Sequence, residues 1–389
     1  MIKTISLSKF AWILLFILML CSPANAQIGG NIKLDDTRWI SIGAGLRASF
    51  SSTEDAAQSG TDRSKEFDVE DMRLYINAQI FKGIQMEFNT ARDSRGGNTT
   101  GDVRILDAIL KFKFAESFQV WGGRFLPPSD RSNLNGPYFL NIWDFPFVQA
   151  YPSVFAGRDE GVAVWGITMD GRFRYQLGAF DGTDASVTTS AMTNPNPKDN
   201  LIYSGRLTYN FWDKEPSIYY TQSSYYGERD ILAIGGAFMY QEDGAGDPSV
   251  VTPNAIGDFF GWNVDVLMEK NFPGKGVVSL EGAYYDYDTD GAPSTPGRVI
   301  TAGNSFFILG AFLIDKKIGW GKFQPVVRYQ NFDREVAIGG THDRWDLGLQ
   351  YIIAGHNARI SAIYSLDEDP AATNVNTGSF KLGVQLQLF

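Results

Sequence analysis

The sequence contains one cysteine, two histidines and one long apolar run among its 389 residues. The cysteine, Cys21, lies inside that run, Phe10–Cys21, so the rest of the chain has neither a disulfide nor a thiol nucleophile. A helix needs roughly 20 apolar residues to cross a bilayer. Because no second run approaches that length, the sequence excludes a bundle of membrane-spanning helices.

The scarcity of histidine also limits the chemistry of the chain. His342 is expected in a solvated external loop and His356 in an inner turn, so the two cannot share one catalytic site. No motif indicates a cofactor, and no cluster of residues has metal-ligand spacing. The net charge is −10 and the basic residues are scattered, which leaves no footprint for nucleic acid. We therefore expect no enzyme, no cofactor, no metal and no nucleic-acid partner.

The start of the chain has the pattern of an export signal. Lys3 and Lys9 precede the apolar run, and Ala24 and Ala26 form a small-x-small cleavage site. This pattern predicts a signal peptide over residues 1–26 and a single mature domain over residues 27–389. Removal of the signal peptide loses two lysines and no acid, which moves the formal charge to −12.

Glycine and aromatic residues are abundant, with 41 Gly, 28 Phe and 17 Tyr, and they favour strands and tight turns. Apolar and polar residues alternate in one segment after another. Near the end of the chain, for example, Phe380 and Leu382 fall on one face and Lys381 and Gln385 on the other. This alternation predicts strands with one apolar and one polar face, although a soluble sandwich has the same pattern.

The connections between these strands distinguish the two folds. Short turns such as 81–83 alternate with long polar segments such as 93–102 and 127–160. A transmembrane barrel has short periplasmic turns and long external loops, whereas a sandwich has no reason to sort its loops by length. An even strand count requires residues 213–230 to be an unusually long inner connection. The sequence thus predicts a 16-stranded antiparallel transmembrane β-barrel in outer-membrane lipid, without room for a separate plug domain.

Several motifs, in their order along the chain, resemble one family of outer-membrane proteins. They are LDAILKFKF, FQVWGGRFLPP, FAGRDEGVAVWG, YQLGAFDG and YYGERDILAIGGAFMYQ. In these stretches the chain is similar to the phosphate-selective porin O and P family. With this resemblance, the signal peptide, the alternating strands and the absence of a plug predict passive diffusion of small hydrophilic solutes or ions across the outer membrane of a Gram-negative cell. The resemblance also implies a homotrimer and a third external loop that folds inward as a constriction.

The candidate site follows from this architecture. The constriction loop is expected over residues 127–160, and its charged residues are Asp130, Arg131, Asp144, Arg158, Asp159 and Glu160. The polar strand faces are expected to line the pore. Their charged candidates are Arg47, Arg73, Glu87, Asp107, Lys111, Arg206, Asp265, Glu281, Arg328 and Arg344.

The charges of these residues bear on selectivity. The polar faces carry nine basic and nine acidic residues once the remaining charged positions are added, which are Lys113, Arg359, Lys381, Asp71, Asp93, Glu269, Asp346 and Asp367. The constriction loop carries two basic residues against four acidic ones. Because ion selectivity depends on rings of like charge, we expect weak selectivity, tilted to cations at low salt, and no phosphate site. Two alternatives stay open. One is a phosphate- or anion-selective porin whose luminal arginines cluster at one height, and the other is a non-conducting barrel that acts as an enzyme or adhesin.

Overall fold

The structure is a computed structural model that describes residues 31–93, 102–147, 157–183, 195–217, 219–250, 253–293, 301–335, 340–372 and 374–388. The predicted signal peptide and the terminal Phe389 lie outside these residues. Among the residues described, no helix is both long and apolar enough to cross a membrane.

The fold is a closed antiparallel barrel of sixteen strands with one short additional strand. The strands β1 to β17 are, in chain order, Asn31–Lys33, Trp39–Thr53, Glu66–Phe81, Ile84–Asp93, Arg104–Ala115, Phe118–Phe125, Asp159–Thr168, Phe173–Phe180, Ile202–Asn210, Ile231–Gly246, Ile256–Phe272, Gly276–Asp288, Gly303–Ile314, Lys322–Arg334, Gly340–Ala354, Ala358–Glu368 and Asn376–Leu388. Each strand from β2 onward pairs with the next, and β17 closes the barrel by pairing with β2. The short β1 adds to β2. The predicted 16-stranded barrel is confirmed.

The barrel wall has a polar inner face and an apolar outer face, because successive side chains of a strand point to opposite sides. In β12, Glu281 and Tyr285 are buried inside the barrel, whereas Leu280 and Tyr284 are exposed outside. An apolar outer wall of this extent is stable in hydrocarbon and unstable in water. Exposed aromatic side chains at the short-turn end correspond to an interfacial girdle. They are Phe81, Phe114, Phe118, Phe211, Trp212, Phe272 and Trp320.

Connections at the two ends of the barrel differ in length, as predicted. One end has short turns such as 82–83 and 116–117, and the other has the long segments. The exception is the connection 211–230 between β9 and β10, which starts and ends at the short-turn end. This confirms the predicted long inner connection. β10 extends to Gly246, because the strand continues after a bulge between Gln241 and Ala245.

The third outer connection, between β6 and β7, folds into the barrel. We call its described parts, residues 126–147 and 157–158, loop L3. L3 contains the short helix α1, Arg131–Asn135, capped by the carboxylate of Asp130. Leu126, Leu134 and Trp143 of L3 are completely buried in an apolar cluster inside the barrel. The infolded third loop is therefore confirmed, and the core of the molecule lies around it.

The lipid-facing assignment can be tested at Val264, which is exposed in the middle of β11. An arginine on the lipid face near the bilayer midplane costs about 2–4 kcal/mol. We expect Val264→Arg to lower the free energy of unfolding in lipid vesicles by about that amount, measured by urea titration. Val250→Arg, in an exposed outer connection, is the control and should change it by less than about 0.5 kcal/mol. Equal stability of the two variants would contradict the assignment.

Candidate functional site

The structure divides the predicted constriction residues between L3 and the wall. The four that belong to L3 are Asp130, Arg131, Asp144 and Arg158. Asp159 and Glu160 belong to β7 instead. The prediction that placed them in the loop was wrong, because pairing with Phe125 and Arg124 of β6 already begins at these two residues.

Glu160 lies outside the constriction altogether. Alternation along β7 turns Asp159 inward, where it is buried, and turns Glu160 outward. The Glu160 carboxylate pairs with Arg124 at 3.2 Å on the outer wall. Asp159 accepts a hydrogen bond from the backbone of Gly182 at 2.7 Å and so holds the start of the next outer connection.

The predicted pore-lining residues all lie on the inner face of the wall. Those that are buried are Arg47, Arg73, Glu87, Asp107, Arg206, Asp265, Glu281 and Arg328. Lys111 and Arg344 are partly buried. Side chains around a wide aqueous channel would be exposed to the water inside it. The burial therefore means that most of these charges face protein rather than an open pore.

Four buried arginines of the wall share one bonding pattern. We call Arg47, Arg206, Arg328 and Arg359 the wall arginines. Each donates to a side chain of the wall and to a backbone carbonyl of L3. The wall partners, in the same order, are Asp71, Asp265, Asp346 and Gln385. The L3 carbonyls, again in order, are those of Trp143, Ser129, Asp144 and Leu140.

Arg47 shows how close these contacts are. Its guanidinium donates to the Asp71 carboxylate at 2.9 Å and to the Trp143 carbonyl at 2.5 Å, and it lies 4.1 Å from the centre of the Trp143 ring. A guanidinium has five donors in a fixed fork, which suits it to bridge two acceptors. The wall arginines thus attach L3 to the barrel. Three of them lie beside a wall carboxylate that balances their charge, whereas Arg359 donates to the neutral side chain of Gln385.

Arg73 has looser contacts than the wall arginines. Its nearest carboxylate oxygen, on Asp71, is 3.8 Å away, and its cation lies 5.3 Å from the centre of the Tyr138 ring. Lysines at the inner face are also paired. Lys111 contacts Glu87 at 2.5 Å.

A second segment enters the lumen from the short-turn end. We call residues 211–230, described except for residue 218, the inner segment. Tyr219, Ser223 and Ser224 are buried within the barrel, although they connect two strands at its rim. The Tyr219 hydroxyl accepts from the backbone of Leu126 in L3 at 2.7 Å. The length of this connection was predicted from the even strand count, whereas its position inside the lumen was not predicted.

The inner segment and L3 meet through a buried ion pair. Arg131 of L3 donates two hydrogen bonds to Glu215 of the inner segment, at 2.6 and 3.1 Å. Burial raises the pKa of Glu215, but the charge of Arg131 outweighs this effect and the pKa lies below its ordinary value. The pair is therefore ionised. Beside it, the Asn135 amide donates to the Ser223 hydroxyl at 2.6 Å.

Together the two segments fill the lumen at mid-height. Inward side chains at the middle of strands on different sides of the barrel are buried, for example Arg206, Asn263, Leu309 and Asp346. Within the part of the chain that the structure describes, protein occupies this level of the lumen. The infolded third loop was predicted as the constriction, and the inner segment is a second element that narrows the lumen.

His342 does not lie in a solvated loop, and that prediction was wrong. It belongs to β15 near its outer end and is only partly exposed. Its ring is hydrogen-bonded to Asp367 and stacks on Phe147 of L3, with 3.9 Å between the ring centres. The strand includes His342, because pairing with β14 continues past Asp343 to Gly340.

His356 lies in the predicted inner turn but is buried. Its Nε2 donates to the carbonyl of Ser224 in the inner segment at 2.8 Å, and its Nδ1 faces the Tyr226 hydroxyl at 3.4 Å. Burial, and then the charge of Arg359, lower the pKa of His356 to about 3. At neutral pH this histidine is therefore an uncharged support for the inner segment.

A scan against models of known protein families finds no match, and no curated protein sequence matches the chain. Solved structures do match, and they are bacterial outer-membrane barrels. The chain superposes on OmpF of Salmonella typhi with a TM-score of 0.60 at 12% identity, covering 92% of this chain and 100% of that one. These values define the fold class as that of outer-membrane β-barrels.

Two further neighbours support the same class. OmpT, an outer membrane protein of Vibrio cholerae, matches with a TM-score of 0.58 at 13% identity, covering 93% of this chain and 100% of that one. An anion-selective porin from Comamonas acidovorans matches with a TM-score of 0.56 at 11% identity, covering 90% and 99%. At such low identity the likeness concerns the fold alone.

The attachment of L3 can be tested by Arg47→Met. Removing one partner of a buried ion pair leaves the Asp71 carboxylate poorly compensated, which costs about 3–5 kcal/mol. We expect a loss of that size in the free energy of unfolding in detergent micelles. Arg47→Met combined with Asp71→Asn should recover part of it, and Lys65→Met at an exposed site is the neutral control. An unchanged stability of Arg47→Met would contradict the attachment role.

The buried His356 predicts a pH dependence of stability. The unfolded chain binds a proton on this residue near pH 6.5, whereas the folded protein binds it only near pH 3. The stabilisation is therefore complete above about pH 6.5 and is lost as pH falls towards 3. We expect the loss of unfolding free energy between pH 7.5 and pH 4 to be smaller in His356→Gln than in wild type. His342→Gln is the control, and identical slopes for His356→Gln and wild type would refute the assignment.

Proposed function

We propose that the protein is an outer-membrane porin for passive diffusion of small hydrophilic solutes or ions. The observation that carries this proposal is the closed 16-stranded barrel with an apolar outer wall, a polar inner wall and an infolded third loop. The fold neighbours, several of which are porins, support it. The sequence motifs support the finer assignment to the phosphate-selective porin O and P family. Targeting by a cleavable signal peptide over residues 1–26 belongs to the same proposal.

We further propose weak selectivity without a phosphate site, despite that family likeness. The wall arginines donate to wall side chains and L3 carbonyls, which leaves little guanidinium surface for a passing anion. The external connections are net acidic, for example residues 181–201 with three aspartates and one lysine. Their field reaches only about 8–10 Å at physiological salt. Cations are therefore favoured slightly at the mouth when the salt concentration is low.

A second candidate function has an observation in its favour. Protein fills the mid-height of the lumen in the described residues, which favours a barrel that does not conduct. Such a barrel would act as an adhesin or enzyme at the cell surface. The enzyme form has weak support, since His342 and His356 lie at opposite ends of the barrel. We propose that the protein is not an enzyme and uses no cofactor.

A homotrimer in outer-membrane lipid is part of the proposal. β13 is apolar on both faces, with Phe307 and Leu309 buried towards L3 and Ile308 exposed on the outer wall. Fold neighbours include a trimeric form of OmpT. An outward apolar strand suits burial against a second copy as well as against lipid.

Purified protein added to a planar lipid bilayer tests the channel. We expect stepwise, ohmic increases in current, because each barrel that inserts adds one polar path across the bilayer. Under a salt gradient, the reversal potential should indicate a small preference for cations that fades as salt rises. Chloride current should be unaffected by millimolar phosphate.

Two results would overturn these expectations separately. Insertion without any conductance would favour the non-conducting barrel. Strong anion selectivity with block by phosphate would restore the family's substrate, and Arg73→Gln would then show whether the loosely held guanidinium is responsible. Lys65→Gln, at an exposed outer site, is the matched control for that substitution.

A further inference from the structure

The inner segment is a compact loop with a closed neck. At the rim, the backbone of Asp213 donates to the carbonyl of Asp230 at 2.9 Å, and the backbone of Asp230 donates to the Asp213 carboxylate at 2.9 Å. Asp213 is exposed and Asp230 partly exposed, whereas buried residues between them, such as Tyr219 and Ser224, reach into the lumen. Loops of this kind, with adjacent ends and internal packing, often move as units.

The tip of the loop contacts L3 through polar groups. We call Arg131, Asn135, Glu215, Thr221 and Ser223 the latch. Besides the Arg131–Glu215 ion pair, the Thr221 hydroxyl donates to the Asn135 side chain at 2.6 Å. The backbone of Ser223 donates to the carbonyl of Phe139 in L3 at 3.0 Å.

The wall holds the other side of the loop through one carboxylate. Glu269 of β11 accepts hydrogen bonds from the Ser224 hydroxyl at 2.7 Å and from the backbones of Tyr225 and Gly227 at 3.0 and 2.9 Å. The residue between them, Tyr226, has a φ of 52°, a conformation that costs free energy for a residue with a side chain. The closed position is therefore held by many polar contacts and opposed by local strain.

Polar contacts of this kind exchange readily for water. A buried ion pair adds little net stability, because both ions regain their hydration when they separate. L3 is held more strongly in the apolar cluster, through Leu126, Leu134, Ile142 and Trp143. The inner segment contributes the rings of Tyr219 and Tyr220 to that cluster, and both of their hydroxyls donate to the Asp107 carboxylate. If one of the two segments leaves the lumen, it is the inner segment.

We infer that the inner segment is a gate on the short-turn side of the channel, closed when the latch joins it to L3 and open when it swings outward about its neck. The inference rests on the proposed channel function. It explains how a barrel with a polar inner wall conducts although protein fills its lumen at mid-height. Passage then depends on the fraction of time that the latch is broken.

Cross-linking the latch tests the gate. The double variant Asn135→Cys/Ser223→Cys places two thiols where side-chain atoms now lie 2.6 Å apart. A short bifunctional methanethiosulfonate should abolish its current in a planar bilayer, and a reducing agent should restore it. The pair Ser41→Cys/Asn77→Cys, adjacent on β2 and β3, is the control and should conduct equally before and after treatment. Unchanged current through the cross-linked latch would overturn the gate.

A second measurement separates failure of the gate from failure of the channel. Ser224→Cys buries a thiol that maleimide reaches only when the segment leaves the lumen. Adding Glu215→Gln, which removes the ion pair, should raise the labelling rate about tenfold, the equivalent of about 1.4 kcal/mol. Faster labelling without conductance would refute the channel but keep the movement. Conductance with a labelling rate unaffected by Glu215→Gln would refute the gate and keep the channel.

Discussion

The contact between buried arginines and the carbonyls of L3 is the interaction on which the interior of this barrel depends. Sixteen strands enclose a space too wide for wall side chains to fill. A loop that enters this space brings backbone carbonyls that need donors. The wall arginines supply them, and each also binds a polar side chain of the wall. One arrangement therefore determines both the position of L3 and the low net charge around it.

The wall was predictable from sequence, because strand alternation and the sorting of short and long connections are local features of the chain. The requirement for an even number of strands also located the long inner connection at residues 213–230. The interior was not predictable in this way. The bond from Arg328 to the carbonyl of Asp144 joins residues 184 positions apart, and no local pattern indicates it. Glu160 and His342 were misplaced because strand ends depend on pairing with neighbours.

The composition of residues 217–226, SIYYTQSSYY, indicates that this connection is buried. An exposed turn of that length is usually rich in charge and glycine, whereas this one is rich in hydroxyl groups. Hydroxyls satisfy buried carboxylates without adding charge, and Ser223, Ser224 and Tyr220 do so with Glu281, Glu269 and Glu87. Composition of a connection thus indicates whether it lies in water or inside a barrel.

The contacts that fill the lumen also constrain the order of assembly. Arg131 and Glu215 are 84 residues apart, and the Gln385 amide binds the carbonyl of Tyr138 across 247 residues. Contacts between such distant parts of a chain form after local ones, because closing long loops costs entropy. Hairpins between neighbouring strands therefore precede the filling. In this order of assembly, the charges that are buried in the folded protein stay hydrated while the wall closes, and they lose that water when L3 and the inner segment enter the lumen.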